Sequence, residues 1–427
     1  MIRVSTGMIY DAGVGTINSQ TASLLHLQQQ VATGRRILKP SDDPVNAARA
    51  LVVTQSKDVV AQYATNHGNA MSAMGLEEAH LTGVNDLLAR VKELTVQAGN
   101  GTLAASDQRS IAIELRARFD ELLGVANATD GTGQYIFSGY MGDTKPFGIT
   151  VDQLNAAAAN EAAYQGDDGQ RRLQVSPTRF LEISDSGNDV FKRVRNGNGT
   201  FATNYASANT GTGIIDAGSV TDPAKWNVAA NSKNLEVRFA VSGGVTTYRI
   251  YDSTASAYLT NATTYTSGQV ISLEQTNPPA ASAADFGATV IVTGAPADGD
   301  AFTIKASTSQ SLFKTLANLI GTLERSATGD AAQAKFAGDI GSALTNLDQA
   351  DENILRVRTM IGSRLSEVDS LASVNEDLVL QYEQTLSGLQ DLDYARAISD
   401  MQRKQLDLEA AQKSFMTTSK LSLFNYM

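Results

Sequence analysis

The chain contains no cysteine. Disulfides and thiolate metal sites are therefore excluded. It has three histidines, His26, His67 and His80, each in a tract read as helical, and none has a histidine or carboxylate partner at metal-ligand spacing. A packed or solvated histidine is the plainer reading of all three. Aromatics make up 6% of the residues and Trp226 is the one tryptophan, so composition makes a modest case for an enzyme. No apolar run approaches the length that spans a bilayer. Met1–Thr6 lacks the apolar core of a signal peptide and no small-residue cleavage site follows, so export would need a route without a cleaved signal. No stretch is rich in Lys and Arg, and the formal net charge is −11, which disfavours a nucleic-acid partner.

What the chain does have is helical periodicity at both ends. Leu371, Val374, Leu378, Tyr382, Leu386, Leu389, Leu392, Ala395, Ile398, Met401, Leu408, Ala411 and Phe415 recur mostly at steps of three or four, the repeat of one helical face. No proline interrupts them, and the spacing predicts one helical stretch over 371–415. A stripe that long is buried only against other long helices. Ile17, Leu24, Val31 and Ala48 show a weaker version near the start, with helix expected from about Thr16 to Thr33 and Gly34 as its C′ residue. Pro40-Ser41-Asp42-Asp43-Pro44 then makes a turn. Asp43 or Asp42 can cap the next helix, with Pro44 at its first position.

Further helices are expected to Val59, from about 58 to 98, from a Ser106 cap through Ala126, from about Ser309 to Leu323, and from about Ala331 into the terminal stretch. Tyr135–Tyr140 reads as a short extended piece. Gly362 and Gly388 are possible kinks in the long tract. Between about 148 and 306 the helical period vanishes, apart from an Ala-rich patch at Leu154–Ala163. Leu235, Val237, Phe239 and Val241 alternate with polar or small residues, Ser242-Gly243-Gly244 turns the chain, and Val245–Tyr251 returns as a strand. Other strands are expected at Arg172–Val175, Arg179–Ser184, Gln269–Leu273, Ala288–Val292 and Ala301–Lys305.

Catalytic or cofactor chemistry has little to stand on. Gly166-Asp167-Asp168-Gly169 and Asp298-Gly299-Asp300 fit no EF-hand loop and read as turns. Asp391 and Asp393, at i and i+2 of a helix, would point to different faces and could not share an acid/base role. No phosphate-binding glycine loop or nucleophile elbow stands out. The expectation is a protein that is not an enzyme and takes no cofactor and no metal.

Gln28–Pro44, preceded by Ile2-Arg3-Val4-Ser5-Thr6 and Tyr10, resembles the opening of the flagellin superfamily. Pro40 before Ser41 and Pro44 after Asp43 are similar instead to the flagellar hook-associated proteins of the hook–filament junction, the hook-associated protein 3 family. Tyr135-Ile136-Phe137-Ser138-Gly139 with Asp143–Phe147, Tyr164–Gly169, Gly294–Phe302, Leu392–Ala397 and the closing Leu421–Met427 resemble that family too.

The resemblance implies a flagellin-like layered fold: mainly α, with an inserted β-rich domain and long terminal helices packed as a coiled-coil-like bundle. It divides the chain into a terminal assembly domain (1–60 with 371–427), a helical body (61–147 with 307–370) and an outward β-rich domain (148–306). It further implies a structural protein secreted through the flagellar type III apparatus, extracellular at the junction. The implied partners are other copies of itself in a ring, the hook-side junction protein, flagellin and a cytoplasmic export chaperone, with no nucleic acid and no membrane. The bulk flagellin subunit is the alternative. The stripes themselves name the expected assembly seam: Ile17, Leu24, Val31, Leu378, Tyr382, Leu386, Leu389, Ile398, Met401, Leu408 and Phe415, with the turn Pro40, Asp42, Asp43 and Pro44 setting its corner.

Overall fold

The computed structural model describes residues 6–156, 163–228, 233–276, 285–325 and 328–420. The chain forms two compact units. One comprises Met1–His67, Val175–Pro177 and Asp369–Met427; the other comprises Gly68–Gln174 and Thr178–Val368. The second unit carries both the helical body and the β-rich part.

Helix α1 spans Thr6–Thr33 and ends at Gly34, whose φ of +69° is the left-handed conformation glycine adopts without strain. It starts ten residues before the expected Thr16, running through Gly7, Gly13 and Gly15. At Gly13 there is a reason for the small residue: a Cβ there would lie 2.4 Å from Cδ2 of Phe415. Helix α2 is one 55-residue helix, Pro44–Ala98, where two were expected. No proline lies inside it after the first position, and the helix runs on through Thr65-Asn66-His67-Gly68-Asn69 once it has nucleated. Helix α3 spans Ala105–Ala126. Its start falls before Ser106, because Oδ2 of Asp107 accepts from the Ala104 amide at 3.3 Å.

The expected extended piece at Tyr135–Tyr140 is instead a series of turns that buries Ile136, Phe137 and Ser138. It meets the Tyr164–Gly169 stretch. The Tyr164 hydroxyl donates to Phe137 O at 2.9 Å, and Asp167 Oδ1 accepts from the amides of Tyr140 (2.9 Å) and Gly169 (2.8 Å). Burial holds the Tyr164 hydroxyl well above the usual tyrosine range. The short helix α4 is Val151–Ala156; most of the expected Ala-rich patch after it lies outside the described residues.

Strands β1 (Arg172–Ser176) and β2 (Arg179–Glu182) form a hairpin, followed by a single π turn at Asn188–Lys192. Then come β3 (Phe201–Tyr205), β4 (Ile214–Ile215), β5 (Ser219–Val220), helix α5 (Pro223–Trp226), β6 (Asn234–Ser242), β7 (Val245–Asp252), β8 (Ala257–Tyr258), β9 (Thr263–Thr264), β10 (Val270–Glu274), β11 (Asp285–Thr293) and β12 (Ala301–Ala306). One sheet has the order β3-β12-β6-β7-β8 with β9 beside β7. A smaller sheet has β10-β11-β4 with β5 on β11. The β6–β7 hairpin closes on Gly243 and Gly244, both at positive φ, with Ser242 opposite Val245: the two-residue turn that matches strand twist. Along β6, Leu235, Val237 and Phe239 are buried while Glu236 and Arg238 alternate outward. They join Phe201, Trp226, Ile250, Ile271, Val290, Phe302 and Ile304 in the β core. Strand β3 and the two-residue strands lack alternating apolar patterning and are not among the expected strands; their partners in the sheet hold them.

Helix α6, Leu312–Glu324, is capped by Ser311 Oγ, which accepts from the Lys314 amide at 3.1 Å. It sits in the helical core: Phe313 faces Phe119, Phe147 and Phe191 with ring centroids 5.8, 5.0 and 6.0 Å away. Helix α7 runs for 61 residues, Asp330–Gln390, straight through Gly362 and Gly388. Helix α8 is Tyr394–Lys420. The expected single stretch over 371–415 is therefore broken at 391–393. Asp391 and Asp393 lie in that break rather than on one helix, and Asp393 Oδ1 caps α8 through the Arg396 amide at 3.1 Å.

Candidate functional site

The unit formed by the chain ends has almost no closed apolar core. Among its described residues, Ala50, Val60, Val175 and Ala397 are its fully buried apolar side chains. The other unit buries Phe119, Phe137, Phe147, Phe191, Phe201, Phe302 and Phe313 completely. Both sets of helices carry apolar stripes. Only the second set is closed by the chain itself.

The sequence-derived seam residues share this half-covered state. Ile17, Leu24 and Val31 on α1, Leu378, Tyr382, Leu386 and Leu389 on α7, and Met401, Leu408 and Phe415 on α8 are all half-buried; Ile398 is exposed at 42%. Helices α1 and α8 pack together, with Phe415 against Tyr10 and Lys404 Nζ donating to Gln20 Oε1 at 3.4 Å. Helix α7 and the start of α2 are tied by Lys57–Glu383 at 2.7 Å and by Asn375, whose Nδ2 donates to Val60 O at 2.9 Å. A second apolar set lies outside the expected seam and is exposed: Leu51, Val52 and Val374, which periodicity marks as apolar, and Met8, Ile9, Leu25, Leu380, Leu406 and Met416, which sequence reasoning missed. Neighbouring pairs such as Leu24-Leu25 and Leu51-Val52 were the available signal, since two adjacent residues point about 100° apart and widen the apolar face beyond a single seam.

Between these helices is a joint assembled from residues far apart in the chain. Arg36 N donates to Gln390 O at 2.7 Å and Arg36 Nη2 donates to Leu389 O at 2.8 Å. Leu392 N donates to Gly34 O at 2.9 Å. The last carbonyls of α7, orphaned by the helix end, are thus satisfied by Arg36, and a cation sits on the negative end of the helix dipole. Asp42 Oδ2 accepts from the amides of Leu38 (3.0 Å) and Lys39 (2.9 Å) and closes the turn that contains the exposed Pro40. Asp43 Oδ1 accepts from Asn46 N at 3.1 Å and caps α2, with Pro44 at the first helical position. So of the two aspartates Asp43 is the cap and Asp42 holds the preceding loop. Both carboxyls lie below the usual aspartate range, Asp42 chiefly through the Lys39 amide and Asp43 chiefly through the Asn46 amide. His26, read from sequence as lacking a carboxylate neighbour, has its Nε2 3.9 Å from Asp42 Oδ2.

The other acidic turns serve backbone amides. Asp300 accepts from Thr210 N (2.8 Å), Gly211 N (3.0 Å) and Ala297 N (2.8 Å), and Asp298 Oδ1 accepts from Val241 N at 2.9 Å. Among the described residues no group of three or more His, Asp or Glu could hold a metal ion, and no helix is long and apolar enough to cross a membrane. What this geometry can do is pack: long amphipathic helices, half-covered, around a rigid joint.

Residues 4–141 match the model of the bacterial flagellin N-terminal helical region. The flagellar hook-associated protein 3 of Salmonella typhimurium is 26% identical over 423 residues, covering 99% of this chain and 99% of that one. The flagellar junction protein FlgL of Legionella pneumophila superposes with a TM-score of 0.68 at 28% identity, covering 80% of this chain and 100% of that one. FlgL of Xanthomonas campestris superposes with a TM-score of 0.63 at 30% identity, covering 78% of this chain and 99% of that one. The fold and its terminal helices are those of a structural subunit of the bacterial flagellum. Within that class the chain belongs to the hook-associated protein 3 (FlgL) family, the proteins of the hook–filament junction. The closing motif Leu421–Met427 and the opening Ile2–Ser5 lie outside the described residues.

Proposed function

We propose that this chain works by completing its terminal helices with those of neighbouring subunits, forming a ring at the junction between the hook-side junction protein and flagellin. One observation carries the reading: the half-buried and exposed apolar residues of α1, α8 and the adjoining ends of α2 and α7 sit in a unit that buries only four apolar side chains fully among its described residues. Apolar surface of that extent is covered when several helices pack side by side. In this reading Ile17, Leu24, Val31, Leu378, Tyr382, Leu386, Leu389, Ile398, Met401, Leu408 and Phe415 form the seam, and Met8, Ile9, Leu25, Leu406 and Met416 face neighbours.

The same reading supplies the rest of the assembly route. The chain is exported without a cleaved signal, its C-terminal helix held by a cytoplasmic chaperone until it finds partners, and it acts as a structural part rather than an enzyme. The likeness to hook-associated protein 3 runs the length of both chains, whereas the flagellin helical model covers only 4–141; this favours the junction over the bulk filament. Gold labelling of the chain in purified hook–filament particles tests it. A single thin band between hook and filament is expected. Label along the whole filament would make the chain a filament subunit instead.

A further inference from the structure

In the unit that spans Gly68–Gln174 and Thr178–Val368, one acidic side chain on α2 is sealed from solvent with a carboxyl oxygen left unpartnered. Glu77, on α2, is 0% exposed. Its Oε1 accepts from the Asp185 amide at 3.2 Å, and its Oε2 is buried with no hydrogen-bond partner. Asp185, 1% exposed, follows β2 and takes the available donors. Arg364 of α7 grips it through Nη1 to Oδ2 (2.8 Å) and Nη2 to Oδ1 (3.2 Å), and Gln170 Nε2 donates to Oδ1 at 2.7 Å. Arg364 is itself shared with Glu182 at 3.3 Å, and Glu182 also takes Arg172 at 2.8 Å. The remaining cation, Arg171, reaches Gln134 through Nη1 at 3.5 Å, and its Nε is buried with no partner.

Two carboxyls beside one another in a dry site do not both ionise when one guanidinium is held bidentate by one of them. Asp185 takes the Arg364 fork and the Gln170 amide. Glu77, with one backbone donor, is the group that gives up its charge. We propose that Glu77 is a neutral carboxylic acid in the folded protein, and that docking the base of the β1–β2 hairpin onto α2 and α7 takes up one proton there. The net direction is the same: burial first and then the Asp185 carboxylate raise its pKa well above the ordinary 4.5, against smaller lowering by the Asp185 amide, Arg364 and Arg171.

The consequence is a stability that favours acid. A carboxyl whose folded pKa is raised contributes stability fully present below its ordinary value of 4.5 and lost as pH rises toward the folded value. In that window the unfolding equilibrium constant rises by up to tenfold per pH unit. His80, whose pKa is lowered by burial, acts in the opposite sense below its ordinary 6.5, so the comparison must be between variants that share it.

The test is urea unfolding of the full chain between about pH 5 and 8, parent against Glu77→Gln, which keeps the shape of the neutral acid. The parent is expected to lose stability more steeply with pH than Glu77→Gln, by up to one proton, and Glu77→Gln to equal or exceed the parent at pH 8. Parallel pH curves would overturn the proposal, since they would mean that Arg171 neutralises an ionised Glu77. A second measurement needs no variant: the infrared C=O stretch of a protonated carboxyl in the folded parent at pH 7. Its presence supports the assignment and its absence overturns it, even if Glu77→Gln does not fold.

Discussion

Phe415, near the end of α8, packs tilted against Tyr10, near the start of α1, with ring centroids 5.1 Å apart and ring planes at 54°. Gly13, one turn further along α1, leaves the room that Phe415 occupies. Residues 405 positions apart in sequence (415 − 10) thus meet where α1 packs on α8.

The pair should be measurable by itself. Tyr10→Ala and Phe415→Ala, combined in a double-mutant cycle, are expected to show a coupling of about 0.5–1.5 kcal/mol, the value of an aromatic pair beyond its area. The readout is protease cutting of α1 and α8. Additive effects would mean that the rings touch without holding the ends together.

Leu378→Asp and Leu389→Asp should separate folding from assembly. Each would place a charge in the proposed seam between subunits, at a cost of several kcal/mol if it stays unpaired there. Because both positions are half-buried in the single chain, the unit containing Phe313 should keep its thermal transition. Hooks incubated with either variant should remain uncapped; normal capping by both would remove these residues from the seam.

The joint makes a sharper demand. Gly34→Ala puts a side chain at φ +69° and brings its Cβ to 2.8 Å from the Tyr394 hydroxyl. The backbone conformation alone costs roughly 1–2 kcal/mol. Arg36→Ala removes the cation from the α7 terminus, worth about 0.5 kcal/mol at an exposed site. Both should speed proteolysis at 391–393, Gly34→Ala more than Arg36→Ala. Unchanged cutting in both variants would show that the break is held by other contacts.

The cap of α2 should reveal itself through pH. The folded pKa of Asp43 is lowered, so its contribution is present above the ordinary 3.8 and is lost as pH falls below that value. Asp43→Ala should therefore weaken hydrogen-exchange protection of the first turn of α2 at neutral pH and match the parent in acid. Asp42, lowered by the Lys39 amide, follows the same sign. A difference that persists unchanged below pH 3.8 would assign the effect to something other than the carboxylate.

The β-rich part offers a clean excision. Asn196 N donates to Thr308 O at 3.0 Å and Arg195 bridges Ser309, so entry and exit strands lie side by side. Replacing 197–307 with a short Gly/Ser linker should leave the Phe119–Phe147–Phe191–Phe313 core and its thermal transition in place. A cut at 150–304 would also strip Tyr164, Asp185 and Phe191 from that core and should not fold. Equal behaviour of the two deletions would contradict this.

Much of the helical architecture is legible in the amino-acid order. Helix α6, the helical character of α2 and α7 though not their bounds, the β6–β7 hairpin, Gly34 as a C′ residue and Pro44 behind an aspartate cap all follow from periodicity or from local backbone chemistry. Those signals act within a few residues, so a sequence carries them intact. The Ser106 cap failed for the converse reason: a neighbouring carboxylate, Asp107, reached the Ala104 amide first.

Sequence by itself determined the helical character of most of the chain outside about 148–306, the alternation of β6 and β7, and that the two ends carry apolar stripes. Tertiary structure alone decided that the terminal stripe breaks at 391–393, because the groups that satisfy the freed carbonyls belong to Arg36, 353 residues away. It also decided that Glu77, an unremarked acid in a helix, is sealed beside Asp185, and that the stripes of the end helices stay half-covered while those around Phe313 close. Periodicity tells a helix which face is apolar; only the packed chain determines how much of that face is removed from water.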